Sequence, residues 1–403
     1  MKKKKTSNLK KIILGIVLIL IVILVSKCTS NRAEKADVVS EDVVTTSESP
    51  IKTYTATLVG TGDALIHSPI YEAAYDSATD TYDFSSMLTD IKEAIKGYDI
   101  RYYNQEVVSD DDKPYSTYPM FNVPSQWDIN MTADVGFNLV SLATNHSMDC
   151  GNDSAKKYAA WWESRRHVLA TGMASTEQMR YKHDIAKVNG ISYTMLSYTY
   201  GTNGLRVPED YVVNVFDEEK ALQDIQAVRD KVDVLIVAMH WGVEYNTGVT
   251  DEQKAQARFL GENGVDIILG CHPHCIEPWE WIDEDTVVFY SFGNFISNQM
   301  TARTSHVRKV APIGMLGTLE ITKTVDREHN TSEIKIGNIG AELLYTRRFY
   351  NNEKGKYDYA VVPFSKMKRE YLSDYEDVYD EFSAILKKYD DNITIAPLPK
   401  EAA

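Results

Sequence analysis

From about Tyr54 onward, short apolar runs alternate with amphipathic helical stretches, and almost every run ends directly in a carboxylate, an amide or an imidazole. The alternation is the mark of a layered α/β architecture. Thr55 to Val59 leads to Gly62-Asp63, Asp99 to Tyr103 to Asn104-Gln105-Glu106, and Phe137 to Leu142 to Thr144-Asn145-His146. Val234 to Ala238 leads to His240-Trp241-Gly242, and Val265 to Leu269 to Gly270-Cys271-His272-Pro273-His274. In open α/β sheets the loops at the carboxyl ends of strands converge on one crevice, so these distant residues are expected to meet.

The rest of the chain fits the same scheme. Phe84 to Ile95, Asp153 to Arg165 and Asp251 to Asn263 read as helices. The last has Thr250 and Gln253 placed for a capping box and Gly264 placed to end it. Val287 to Tyr290 reads as a buried strand, Ile313 to Phe364 as strand-rich, and Leu372 to Tyr389 as an acidic closing helix. No internal repeat is present, and one domain over residues 54–403 is expected.

Asp, Glu, Asn and His gathered at strand ends are ligands for hard-to-borderline divalent ions such as Mn, Zn or Fe. Taken singly, each residue also has a plain reading. Gly62-Asp63 is turn chemistry, Glu106 suits a solvated loop, Asn145-His146 an Asx-type turn, and His240 a satisfied core histidine. His272 and His274, two residues apart, fall on one side of an extended segment that Pro273 stiffens. Five strand-end coincidences together favour a metal site. Cys271 and Cys275 frame that segment, where a small disulfide loop is open to them, but ligands spaced so tightly cannot all reach one tetrahedral ion.

At the other end of the chain, Ile12 to Ser26 is an uninterrupted apolar run preceded by lysines and followed by Lys27. At about 1.5 Å per residue it covers roughly 22 Å of a ~30 Å hydrocarbon layer, with lysines snorkelling at both ends. The lysine cluster stays in the cytoplasm under the positive-inside rule. The expected plan is a cytoplasmic tail (1–11), a single-pass membrane anchor (12–26), a Ser/Thr/acid-rich disordered linker (27–53) and an extracytoplasmic domain. Leu24 to Cys28 is lipobox-like, but Lys27 stands where a small residue is wanted. The formal net charge is −15, and without the six lysines at Lys2 to Lys5, Lys10 and Lys11 the remainder carries about −21. Such a surface argues against nucleic-acid binding.

The order Gly62-Asp63, Asn104-x-Glu106, Asn145-His146-x-x-Asp149-x-Gly151 resembles the first three blocks of the CapA family. His240-Trp241-Gly242-x-Glu244-Tyr245, Gly270-x-His272-Pro273-His274 and Tyr290-Ser291-Phe292-Gly293-Asn294-Phe295 are similar to the remaining three. The resemblance to these capsule and poly-gamma-glutamate synthesis proteins covers about Leu58 to Phe295. It implies a four-layer αββα sandwich of the calcineurin-like metallophosphoesterase type with two divalent metal ions. Asp63 and His274 would bind the first metal, Asn145, His240 and His272 the second, and Glu106 would stand at the bridging position. His146 would meet the leaving group. Phosphoesterases carry Asp-x-His in the first block; here Leu65 occupies the histidine position, and His67 is the nearby substitute. Glu244 is placed to orient an imidazole, and Asn294 to contact either substrate or backbone.

The resemblance implies a metal-dependent hydrolase or transferase acting on an anionic surface polymer, or on a phosphorylated intermediate of it, beside capsule or poly-gamma-glutamate synthase components. The Leu65 departure keeps open a non-catalytic accessory scaffold, and the fold type a secreted nucleotidase. Arg303, Arg308 and Lys309 form a small basic cluster in an otherwise acidic domain, readable as a polymer contact or as a solvated loop.

Overall fold

The computed structural model describes residues 49–399. The basic tail, the Ile12 to Ser26 run, Cys28 and most of the linker lie outside them. Among the described residues no helix is long and apolar enough to cross a membrane.

The chain starts one sheet, builds a second, and returns to the first. Strands β1 (Ile51–Ala64), β2 (Ile100–Asn104), β3 (Leu139–Ser141) and β4 (Leu169–Thr171) run parallel. The second sheet holds β5 (Ala186–Val188), β6 (Ile191–Thr199), β7 (Val234–His240), β8 (Ile267–Cys271), β9 (Trp279–Trp281) and β10 (Val287–Phe289), in the order β9-β10-β8-β7-β6-β5. The chain then re-enters the first sheet through β11 (Asn294–Ile296), β12 (Ile313–Asp326), β13 (Thr331–Asn351), β14 (Lys356–Pro363) and β15 (Thr394–Ile395). The resulting order is β14-β13-β12-β1-β2-β3-β4, with β11 paired to β1 and β15 to β13.

The core divides into three apolar layers, and side-chain alternation explains them. In β7, Val234, Ile236 and Ala238 point between the sheets, while Leu235, Val237 and Met239 pack on the helices Glu218–Val228 and Asp251–Glu262. A strand buried on both faces reads as a continuous apolar run, as this one does. In the first sheet Leu58 and Tyr102 face the second sheet, whereas Val59 and Tyr103 face an outer layer containing Ile91, Trp127, Tyr158 and Trp162. The layers are therefore helix, sheet, sheet, helix: a four-layer αββα sandwich.

Local signals hold where the physics is local. Thr250 and Gln253 form the capping box, worth about 1 kcal/mol, and Gly264 at φ 87° follows the end of that helix. The closing helix is Tyr375–Leu386; its Tyr375, Val378, Phe382 and Leu386 seal the space between the sheets. The stretch read as a helix from Phe84 is a 3₁₀ turn, Ser85–Leu88, followed by α-helix Thr89–Ile95. Strand β6 and helix Glu218–Val228 lie where the sequence pattern assigns no element. Cys271 and Cys275 are buried and free, so the small disulfide loop is not formed.

Candidate metal centre

Parallel strands deliver their carboxyl ends to one edge of the sandwich. Asp63 is in register with Asn104 of β2 and with Asn294 of β11, and His240 is in register with Cys271. Two glycines permit this crowding. A Cβ on Gly62 would lie 1.7 Å from the Gly293 carbonyl oxygen, and one on Gly270 would lie 2.0 Å from that of Tyr290. No side chain fits at either position.

Asp63 is wholly buried and fully engaged. Its Oδ1 accepts from Asn104 Nδ2 at 2.8 Å and its Oδ2 from the His272 backbone N–H at 3.1 Å, with His274 Nδ1 3.3 Å from Oδ2. Glu106 is as deeply buried, but neither of its oxygens has a hydrogen-bond partner. His274 Nε2 lies 3.6 Å from Oε1.

Pro273 does not keep its neighbours extended. His272 has φ 98° and His274 φ 57°, so the segment is a tight left-handed turn and not the extended run expected from its sequence. Pro273 fixes only its own φ. Non-glycine residues avoid this region of backbone space, and such strain persists only where the surroundings enforce it. Here the enforcing contacts are the Asp63 bond to the His272 N–H and the Asn294 side chain. Asn294 Oδ1 accepts from His274 Nδ1 at 3.1 Å, and its Nδ2 donates to Gln299 Oε1, to the Ala311 carbonyl and, at 3.3 Å, to that of His274. Asn294 thus positions an imidazole from a buried site.

His240 Nδ1 accepts from Asn104 Nδ2 at 3.3 Å, which leaves Nε2 facing Asn145 Oδ1 at 2.9 Å. Its ring centroid is 4.8 Å from that of His272, and the half-exposed Tyr200 ring covers both. Two sets of possible ligand atoms lie within 4.8 Å of one another: Asp63, Glu106 and His274, and Glu244, His272 and His274. Glu244, expected to orient an imidazole, places an exposed carboxylate close to His272 and His274.

His146 Nδ1 donates to Asp149 Oδ2 at 2.7 Å, and Asp149 also accepts from the Phe121 backbone N–H at 2.7 Å. The His146 ring stands edge-on to Phe121 at 4.8 Å; His67 stands on the same phenyl ring at 5.3 Å. His67 is not among the two close sets. It is the N-cap residue of helix Ser68–Ala74, whose Pro69 stands in the first turn, and its Nδ1 accepts from the Asn298 backbone N–H at 3.2 Å. Leu65 is buried in the outer apolar layer. Asn104 stands at a strand end and Asp149 inside a quoted motif, but neither carries a role in the sequence reading, and Tyr200 lies outside both.

Burial governs the electrostatics. It pushes the Glu106 carboxyl well above its usual range and His240 well below its own. Burial likewise lowers His272 to about 3 and His67 to about 4. Burial would also lower His274, but the Glu106 charge, then the hydrogen bond and charge of Asp63, raise it to about 9. A proton on His274 therefore sits where positive charge is needed. Both Glu106 oxygens, His272 Nδ1 and Asn104 Oδ1 are buried without partners. Buried acceptors left unpaired are costly, and a divalent cation among carboxylates and neutral imidazoles would satisfy them. The residues present fit such an ion.

Comparison with known proteins bears on the same residues. Residues 57–299, more than half of the chain, match the family model of the bacterial capsule synthesis protein PGA_cap. The PGA biosynthesis protein CapA of Bacillus subtilis is 30% identical over 178 residues, which cover 44% of this chain and 47% of that protein. The capsule biosynthesis protein CapA of Bacillus anthracis is 26% identical over 185 residues, 44% of each chain. The matches thus span about half the length of these relatives. Among solved structures, a phosphatase of Mycoplasma pneumoniae has a TM-score of 0.41 at 12% identity, covering 72% of this chain and 95% of that one. A Staphylococcus aureus protein assigned as a 5′-nucleotidase also has a TM-score of 0.41, at 14% identity, covering 81% and 58%. At these scores the likenesses are loose.

Proposed function

Because the chain belongs to the PGA_cap family of bacterial capsule synthesis proteins, we propose that it is a membrane-anchored, extracytoplasmic metal-dependent hydrolase or transferase. Its substrate is the anionic surface polymer, of the poly-gamma-glutamate type, or a phosphorylated intermediate of that polymer. It works beside the synthase components. The observation that carries the catalytic part is Glu106, a buried carboxylate with no hydrogen-bond partner, 3.6 Å from an imidazole that also faces Asp63.

Asp63, Glu106 and His274 would hold one of two divalent ions, Mn, Zn or Fe. Asn145, His240 and His272, with Glu244, would hold the other. Such ions supply Lewis acidity toward a phosphoryl or carbonyl oxygen. The chain does the rest. Asn294 and Asp63 fix the His274 ring, and Asn104 ties Asp63 to His240. His146, whose Nδ1–H is held by Asp149, keeps its other nitrogen for a proton or a developing charge on the leaving group. The anchor and outward-facing domain rest on the apolar run after the lysine cluster.

A second reading, an accessory scaffold whose metal is structural, draws on Leu65. Its side chain packs in the apolar layer where a phosphoesterase has a histidine, and His67 does not take that place. One experiment separates the two. Metal content and phosphodiester hydrolysis are measured on the full-length protein, wild type beside His272→Ala/His274→Ala. The catalytic reading expects bound metal and turnover, both lost in the variant. Turnover that survives loss of the metal sinks it, and metal without turnover leaves the scaffold.

A further inference from the structure

Strand β4 ends the first sheet and β5 ends the second, and a cavity of about 720 Å³ is lined by both edges. Its charge runs against that of the chain. Arg165, Arg166, Arg180, Lys182 and Lys187 line it against only two carboxylates, Glu163 and Asp184. Both carboxylates are already engaged: Glu163 accepts from the N–H and hydroxyl of Ser175, and Asp184 pairs with Lys182 at 3.0 Å. Arg180 is committed to Asp224 through bonds of 2.6 and 3.1 Å. Among the described residues Arg165, Arg166 and Lys187 have no ion-pair partner.

Buried donors in the lining also ask for an acceptor. The Arg165 Nε–H and the Thr171 hydroxyl are buried and unpartnered. Arg165 is held in place by stacking over Trp161, 4.0 Å from the ring centroid. A carboxylate offers only acceptors, which matches unpartnered donors beside unpaired cations.

The edge of β4 adds a main-chain feature. The Leu169 N–H reaches Asn138 O, and the Thr171 carbonyl accepts from Leu142 N, so both residues bond toward β3. In a parallel ladder the intervening residue bonds the other way, so Ala170 turns its N–H and C=O from β3 toward the open edge. Beyond β4, Gly172 packs so close to Ala143 that a Cβ would lie 2.5 Å from its nitrogen. The free edge ends there, because the Gly172 carbonyl accepts from the Asn214 N–H at 2.9 Å and Met173 bridges to Val213, so a chain lying along β4 is confined to the stretch beside Ala170.

We propose that this cavity holds a carboxylate-bearing, amide-linked chain. Arg165, Arg166 and Lys187 take its carboxylates, and the free edge of β4 takes its amides. The assignment rests on the capsule-polymer reading above and supplies what an acidic protein needs to hold an acidic polymer. The test is fluorescence anisotropy of a labelled γ-glutamate decamer with the full-length protein in detergent. Arg166 and Lys187 are exposed, so Arg166→Glu/Lys187→Glu leaves the core untouched. That variant is expected to bind about tenfold more weakly, with metal content unchanged. An uncharged γ-glutamine decamer is expected not to bind. His272→Ala/His274→Ala is expected to keep decamer affinity, which separates this site from the metal centre. The proposal is overturned if the wild type does not bind the decamer, or if the charge-reversed variant binds like wild type. It is equally overturned if a glycerol-phosphate oligomer binds as tightly as the decamer, or if the histidine variant alone abolishes binding.

Discussion

Asp63 and Glu106 end neighbouring strands of one sheet, and both are wholly buried, yet the protein around them treats them in opposite ways. Asp63 receives an amide N–H, a backbone N–H and an imidazole, and so ties β1 to β2 and to the turn after β8. Glu106 receives no hydrogen bond. The first carboxylate is part of the scaffold whatever is bound. The second is a cost to the metal-free protein, tolerable because burial raises its proton affinity and His274 stands close with a proton. Two acids at equivalent strand ends thus separate support from ligation.

The sharpest way to break this contrast is Asp63→Ala. It strips partners from Asn104, the His272 N–H and His274 at once, and is expected to cost about 3–5 kcal/mol in denaturant unfolding even without metal. A loss below 1 kcal/mol would remove the scaffold role. Next in size is the metal itself. An ion at one hundred times its dissociation constant should stabilise the wild type by about 2.7 kcal/mol, reversed by a chelator. Ligation needs neutral His274, which is protonated below about pH 9. Metal binding should therefore release a proton, and affinity should rise about tenfold per pH unit below that value. Calorimetry in buffers of different ionisation enthalpy reads the proton directly.

Glu106→Gln should spare the metal-free protein, unlike the Asp63 variant. Its carboxyl has no hydrogen-bond partner to lose, so metal-free stability should change by about 1 kcal/mol or less while the metal-induced shift disappears. Destabilisation like that of Asp63→Ala would erase the distinction. Acid separates the residues by a smaller margin. Folding keeps His272 and His67 neutral, lowering them to about 3 and 4, so the unfolded chain takes up more protons below pH 6.5. Their joint contribution to metal-free stability should be fully present above pH 6.5 and fall progressively toward pH 4, whereas that of His274, raised to about 9, is present below pH 6.5 and lost toward pH 9. A His272→Ala/His67→Ala variant whose profile below pH 6.5 parallels that of the wild type contradicts their burial. The smallest effect belongs to His67→Ala, with metal content unchanged and stability altered by about 1 kcal/mol or less. Loss of metal in that variant would return His67 to the ligand set.

The strand-end pattern located the site because its rule is topological: parallel neighbours in register bring Asp63, Glu106, Asn145, His240, His272 and His274 to one edge from far apart in the chain. Local geometry was not readable in the same way. His67 lies two residues from the position of interest, but the helix starting at Ser68 claims it as N-cap and turns its ring onto Phe121. The left-handed turn at His272 and His274 is imposed by Asp63 and Asn294, contacts across 209 and 20 residues that no local pattern encodes. The β4–β5 cavity is not legible in the sequence for a related reason: Arg165 and Arg166 come from the connection before β4 and Lys187 from β5 itself, and only the packing of two sheet edges makes them one patch.

The route of the chain through the first sheet sets a timetable. All six of those strand-end residues have been synthesised by His274, yet Asp63 is still missing its register partner Asn294, and β1 has nothing along the edge that β12 will occupy. Pairings as distant as Ile51 with Asp326 must wait for the last quarter of the chain, and closures of that span are slow. The site is thus among the last parts of the protein to become real. Until then, an emerging chain carries those six side chains without Asn294, the residue that sets the His274 ring.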